Sequence, residues 1–461
     1  MTLASAGYSV TLRIYVPPED QRAIGRITTA IGEAGGVVTA LDFVEAHPQR
    51  LVLDITANAR DDGHAADITD VVMLLEGVTV HHVSDRTFLF HLGGKLEVRS
   101  KVLLRNRDQL SMAYTPGVAR VSLALARHPE DARNLTVKGN SVAIVTDGSA
   151  VLGLGNIGPV AALPVMEGKA VLFKRFADVD AWPICLDSND PDEIVRAVEL
   201  IAPGFGGINL EDIAAPRCFD IEERLRRSLD IPVFHDDQHG TAIVVLAALT
   251  NALRVVGKHM RNIVVAMSGA GAAGVAVARL LKAAGVADIV ALDRGGIIGP
   301  HRAFAETSKQ WLREHTNREA RSGDVLAALE GADVFIGLSG PDLFESAEIR
   351  RMAVDPIVFG LANPDPEFDP QAARDYAPVV ATGRSDFPNQ INNVLAFPGV
   401  FRGTLDARAK SITERMNVAA AKAIASVVRP EQLTASYIIP SVFNPEVVDQ
   451  VAKAVEEAAD G

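Results

Sequence analysis

Residues 262–296, NIVVAMSGAGAAGVAVARLLKAAGVADIVALDRGG, leave the chain few folds to choose from. An apolar strand runs into Gly269, Gly271 and Gly274, spaced G-x-G-x-x-G. An Ala/Val/Leu helix follows, then a second apolar strand ending on Asp293, about 20 residues on. Glycines at these places allow a tight turn, backbone approach to a pyrophosphate, and close helix–strand packing. The helix start then offers free N–H groups and the positive end of its dipole to a diphosphate. The expected cradle is Gly269, Ala270, Gly271, Ala272, Ala273 and Gly274 in a parallel, Rossmann-type α/β domain. A carboxylate at Asp293 suits the ribose 2′-hydroxyl of NAD and opposes the 2′-phosphate of NADP. Arg294 beside it could pair with that phosphate, so NADP stays open behind NAD.

That motif needs only part of the chain, and 461 residues predict two or three domains. A net charge of −13 argues against a nucleic-acid surface. No run approaches the ~18 consecutive apolar residues of a membrane span, and MTLASAGYSV lacks the basic start of a signal peptide. The two cysteines, Cys185 and Cys218, fit no zinc spacing and are expected as buried or inert thiols in a reducing cytoplasm.

The first 95 residues read as a unit of their own. YSVTLRIYV alternates as a strand, and EDQRAIGRITTAIGEAGG has helical spacing that stops at paired glycines. Strand-like VVTALDFVEA, turn residues HPQ, strand-like RLVLDITAN and helical GHAADITDVVMLLEG follow, and VTVHHVSDRTFLFH is expected to close as a strand. The order βαββαβ is a ferredoxin-like plait. With AIGRITTAIGEAGG as its first helix, this unit resembles ACT domains, which implies a regulatory module with a small-molecule effector; a plain oligomerisation module is the alternative. LGGKLEV then reads as a linker.

From about Arg99 to Asn251 the pattern is α/β, with SVAIVTDGS, KAVLFKRFA, AWPICLD and GFGGINL expected as short strands. GFGGINLED puts Glu211 and Asp212 at the end of an apolar strand, and IPVFHDDQHGTAIVVLAAL puts Asp236 and Asp237 at another. Two acidic pairs at strand ends suit an oxygen-ligated Mg²⁺ or Mn²⁺. Zinc would need His235 and His239 on one helix face, but Gly240 follows at once and the helix is expected to begin later. Asp236 or Asp237 can also cap that helix.

The stretches AYTPGVA, VTDGSAVLGLGNIGPVAALPVMEGKAVLFKRFADVDA, NLEDIAAPRCF, FHDDQHGTA, SGAGAAG, ANPDPE and INNVLAFPGVFRG run in unbroken order from about Ser100 to Asn444. Together they resemble the compact bacterial malic enzymes. The resemblance implies oxidative decarboxylation of L-malate to pyruvate and CO₂ with NAD(P) and a divalent cation. It also implies roles: Tyr114 as proton donor, Lys169 as general base, and Glu211, Asp212 and Asp237 as metal carboxylates. Asp236 becomes a neighbour that orients the site. Asn363 falls near the nicotinamide ribose and substrate, and Asn393 becomes a substrate-binding amide, with Lys169 also touching substrate. One departure is visible: larger eukaryotic relatives read DGERILGLG where this chain reads DGSAVLGLG, so Ala150 replaces their substrate arginine. The chemistry suits these residue types, because a cation-bound 2-hydroxyl is acidified and a lysine of lowered pKa can take its proton.

The expected organisation is 1–95 ACT-like, 96–251 substrate and metal domain, 252–404 dinucleotide domain, and 405–461 helices returning to the substrate domain. The chain is expected to be a cytoplasmic homodimer or higher homo-oligomer with no nucleic-acid or membrane partner. A non-oxidative malate or oxaloacetate decarboxylase is the rival enzyme. An amino-acid sensor on an enzyme fold is the non-catalytic rival.

Overall fold

In the first unit of the chain, which ends at Glu97, alternation dictates a one-sided sheet. The computed structural model describes residues 4–47, 49–151 and 153–459. Strand β1 (Ser5–Val16), a helix (Ala23–Glu33), β2 (Val37–His47), β3 (Arg50–Ala59), a helix (Asp62–Met73) and β4 (Thr79–Asp85) follow in order. The strands lie β2-β3-β1-β4, all antiparallel. This is the ferredoxin-like order. Leu12, Ile14, Leu53 and Ile55 point to one face and bury against Ile27, Ile31, Ile68 and Val72 of the two helices. Pro48 of the expected HPQ turn lies outside the described residues. One expectation fails here: RTFLFH is a helix (Arg86–His91), not the end of the last strand. Asp85 causes the switch, because its carboxylate accepts from the N–H groups of Thr87 and Phe88 and caps a helix start.

The second unit, from Val98 on, holds two sheets. Strands β5 (Ser141–Thr146), β6 (Asp180–Cys185), β7 (Gly207–Leu210) and β8 (Val233–His235) form a parallel sheet in the order β6-β5-β7-β8. The expected strand KAVLFKRFA is instead the second half of a helix, Pro159–Ala177. Its buried residues Met166, Ala170, Phe173 and Ala177 recur every three or four positions, a helical period that the short apolar run concealed.

The other sheet contains β9 (Val264–Ser268), β10 (Asp288–Asp293), β11 (Gly296–Ile297), β12 (Val334–Gly337), β13 (Ile357–Gly360) and β14 (Val379–Thr382), ordered β11-β10-β9-β12-β13-β14. All pairs are parallel except β10 with β11. Between β9 and β10 runs the helix Ala272–Ala283, so the predicted strand–turn–helix–strand unit is present.

A single helix, Asp236–Val256, joins the two sheets. Its body is apolar on nearly every side and mostly buried. Its length and composition would also allow it to cross a membrane, but 67% of its most apolar window is buried inside the molecule. Ile243, Val245 and Leu249 belong to one core that takes in Ile144 and Phe173 on one side and Val265 and Ile289 on the other. The junction expected at 251/252 therefore falls inside a continuous helix, where Asn251 is buried and donates to the carbonyls of Ala425 and Ile438. The helices expected from 405 on begin earlier, with Phe397–Asp406, and continue as Glu414–Val427 after Arg408 turns left-handed (φ 51°). A last helix, Glu446–Ala459, packs on both, and Phe397–Asp406 packs on Pro159–Ala177.

Candidate active site

Glu211 and Asp212 follow β7 directly. In an extended strand, neighbours point to opposite faces. Asp212 escapes this because its backbone is left-handed (φ 53°), and its N–H donates to Asp237 Oδ2 at 2.9 Å. Glu211, Asp212 and Asp237 thereby bring one carboxylate oxygen each within 4.8 Å of one another. Glu211 is fixed from behind by Asn209 Nδ2 at 2.8 Å. Burial, with the other carboxylates close by, pushes Glu211 up to about 8 and Asp212 up to about 7. Asp212 Oδ2 is buried with no hydrogen-bond partner. Three converging oxygens, an orphaned acceptor and mutual repulsion are what a hard divalent cation relieves, so the donor set fits Mg²⁺ or Mn²⁺.

Lys169 projects from Pro159–Ala177 into the same place, 7% exposed. Its Nζ donates to Glu211 Oε1 at 2.8 Å and to Asp236 Oδ2, and lies 4.1 Å from the centre of the Phe397 ring. Asn393 Nδ2 donates to that same Asp236 oxygen. Asp236 is thus the hub that aims a lysine and an amide at the carboxylate cluster. A lowered lysine pKa is not what this arrangement gives. Burial alone would lower it, but Asp236 and Glu211 outweigh burial and hold the ammonium form above its ordinary range.

The run HDDQH is neither a solvated turn nor a zinc site. The helix begins at Asp236, earlier than its glycine implied. Gly240 is there for space: a Cβ would sit 2.0 Å from Asp236 Oδ1. His235 is fully buried, with Nε2 3.0 Å from Asp237 Oδ2 and Nδ1 2.8 Å from Gln238 Nε2. His239 Nε2 lies 2.7 Å from Glu222 Oε1, and Gln238 donates to Glu222 Oε2 at 3.1 Å. Both histidines are spent on bracing Asp237 and the helix start.

The glycine turn opens on a cleft of about 540 Å³ lined by Gly269, Ala270, Gly271, Asp293 and Arg294. Gly269 has φ 109°, and a Cβ on Gly274 would strike Gly269 O at 2.0 Å, which explains both glycines. A Cβ on Gly271 would meet nothing within 4 Å, so the turn faces open space. No side chain caps the helix start at Gly271, which leaves its N–H groups for an anion. Ala272, Ala273 and Gly274 form that first turn. These residues fit a dinucleotide.

Two expected site residues, Tyr114 and Asn363, are not drawn into the cluster. Tyr114, at the end of the helix Arg107–Ala113, is 70% exposed. Asn363 is exposed, with its amide 3.0 Å from where a Cβ on Gly383 would stand. Ala150 is exposed, and its N–H donates to Asp212 O at 3.0 Å. The residues missing from the sequence reading are Asn209, Glu222, Arg302 and Lys309. Asn209 could have been found, since it is a polar residue in an otherwise apolar strand two places before Glu211. Glu222 stands among charged residues of RCFDIEERLRRS, and nothing local marks it as buried.

Two family descriptions match the chain: "Malic enzyme, N-terminal domain" over residues 93–226 and "Malic enzyme, NAD binding domain" over residues 238–460. The NAD-dependent malic enzyme of Geobacillus stearothermophilus is 53% identical across 98% of this chain and 95% of its own. The bifunctional malic/malolactic enzyme of Bacillus subtilis is 55% identical across 79% of this chain and 90% of its own. Among solved structures, the malic enzyme from Pyrococcus horikoshii superposes with a TM-score of 0.77 at 53% identity, covering 80% of this chain and 87% of that one.

Proposed function

The chain belongs to the malic enzyme family, and from that premise we infer that its carboxylate pocket oxidatively decarboxylates malate with NAD as hydride acceptor. The observation that carries this reading is the convergence of Glu211, Asp212 and Asp237 beside buried Lys169. A divalent cation held by those three carboxylates would supply Lewis acidity toward the hydroxyl and ketone oxygens, and NAD would take the hydride. The chain's own work is positioning and proton transfer. Asp236 holds Lys169 within reach of the cluster; a cation on Glu211 would take up one of the two negative charges that keep the ammonium form, and the lysine, once neutral, takes the proton of malate's 2-hydroxyl. Asn393, tied to the same carboxylate, offers its amide to the substrate. Asn363 stands at the nicotinamide end. Tyr114 returns a proton to carbon 3 of enolpyruvate. Purified protein with malate, NAD and Mn²⁺ should accumulate NADH and pyruvate, and EDTA should stop it. Lactate without NADH would favour the non-oxidative reaction included in the name of the Bacillus subtilis relative.

Tyr114, 70% exposed, is placed to serve the site of a second copy. Around it, Leu103, Leu104, Leu110, Met112 and Leu123 are each more than half exposed. Apolar surface of that density is what protein interfaces bury. A homodimer in which each copy lends Tyr114 to the other covers this surface and completes both sites. The unit ending at Glu97 serves as an ACT-like sensor of a small effector, a role supported by its plait topology. Two free cysteines, one buried and one half-buried, fit a cytoplasmic enzyme.

A further inference from the structure

The adenosine end of the dinucleotide cleft is built differently from what the sequence implies. Asp293 is not a free carboxylate awaiting a ribose. Its Oδ1 accepts from Arg302 Nη1 at 2.8 Å and from the Gly295 N–H at 2.9 Å, and its Oδ2 lies 3.3 Å from Lys309 Nζ. Arg302 is itself fixed, donating to Gly296 O at 2.8 Å and lying 4.8 Å over the Phe304 ring. Arg302 and Lys309 are each 24% exposed and Asp293 is 14% exposed, so the contacts are sheltered. The lining at this end counts three cations, Arg294, Arg302 and Lys309, against two carboxylates, Asp293 and Glu306. The net charge is positive. A carboxylate gripped by a guanidinium, an ammonium and a backbone N–H occupies the same kind of seat that a phosphate monoester does, since both use charge-assisted N–H···O bonds.

Resting on the reading of this cleft as the NAD site, we propose that Arg302 and Lys309 form a latent 2′-phosphate seat that Asp293 fills from within, so that Asp293 alone sets the preference for NAD. The electrostatics of the surroundings do not exclude a 2′-phosphate; the resident carboxylate does, by occupying its two donors. Removing that carboxylate leaves two half-buried cations facing the ribose, and a 2′-phosphorylated ligand satisfies them.

The test compares adenosine 2′,5′-bisphosphate with 5′-AMP by calorimetry on Asp293→Ala and Asp293→Ser, the serine keeping a small acceptor for the Gly295 N–H. Each affinity is taken as a ratio of the two ligands on one protein, so a loss of folded fraction cancels. The expected result is a shift of the ratio toward the bisphosphate by about tenfold or more, the scale of one charge-assisted hydrogen bond. Adding Arg302→Ala or Lys309→Ala should erase that gain. The ratio of kcat/KM for NADP and NAD should move the same way. An unchanged ratio in both Asp293 variants overturns the proposal, and so does a gain that survives loss of Arg302 and Lys309, which would move the role to Arg294. If wild-type protein binds neither nucleotide, the NAD-site reading fails instead, and the two failures are thereby told apart.

Discussion

At the scale of single residues, charge decides most outcomes. Asp237→Asn keeps size and loses charge, so Mn²⁺ affinity and turnover should both fall sharply, as titration calorimetry and initial rates would show. His235→Ala should weaken Mn²⁺ by about 10–100-fold, the usual cost of losing a group that orients a metal ligand, because it frees Asp237 Oδ2 from its 3.0 Å contact. Lys169→Ala should slow NADH formation by at least ~10²–10⁴-fold, the range for removal of a general base. It also strands Asp236 without its cation, so a lower unfolding temperature should accompany the loss of rate. The raised carboxylates give a pH signature. Glu211 and Asp212 move from ordinary values of 4.5 and 3.8 up to about 8 and about 7, so the folded protein binds more protons than the unfolded chain across that window. Their contribution to metal-free stability is therefore greatest at the acid end and is lost as pH rises through 7 and 8. Asp212→Asn should flatten that slope in EDTA, and Mn²⁺ should restore more stability at the alkaline end than at the acid end; equal restoration at both ends would contradict it. The carboxylates themselves were readable in the sequence because acidic pairs at apolar strand ends have few structural uses. The braces behind them were not, because Glu222 and Arg302 acquire meaning only from what folds against them.

At the scale of elements, long periodic segments were legible and short apolar runs were not. The glycine turn with its strand and helix was readable because spacing, flanking residues and Asp293 all agreed. KAVLFKRFA misled because nine residues with six apolar ones satisfy strand and helix alike, and only the tertiary surroundings choose. The start of Asp236–Val256 misled for a different reason: glycine reads as a breaker, whereas Gly240 is an accommodation to Asp236 Oδ1. Gly240→Ala tests that account. The added methyl must displace Asp236, and with it both Lys169 and Asn393, so turnover should collapse. A crystal structure of the variant should show the lysine turned from Glu211, and wild-type activity in Gly240→Ala would refute the tight fit.

At the scale of the whole molecule, the question is how many chains make one site. If Tyr114 crosses between copies, mixing inactive Lys169→Ala with inactive Tyr114→Phe should regain activity, because a mixed dimer carries one site with both groups intact. At equal amounts, recovery should approach about one quarter of the wild-type rate per site, since half the dimers are mixed and each has one intact site. No recovery after verified exchange of subunits would place Tyr114 in its own chain's site. Removal of the unit that ends at Glu97, with the chain restarted near Gly94, should leave carboxylates and glycine turn in place and abolish any response to a small effector. The plait was legible from the order of its strands and helices, while the exposure of Tyr114 was not, since exposure is a property of the folded surface.

The helix that joins the two sheets carries one further consequence, for anyone who would recombine this enzyme. Its first turn supplies Asp236 and Asp237 to one half, while its body is walled in by the other half and by the C-terminal helices. A chimera spliced at 251/252, where the chain pattern changes, would join half a rod to a foreign half and misalign Asn251 with its two carbonyls. The natural seam lies just beyond, at Gly257, where φ of 69° ends the helix. Exchanged there, a dinucleotide module would leave the helix that carries the carboxylates in one piece, and would bring its own coenzyme preference with it.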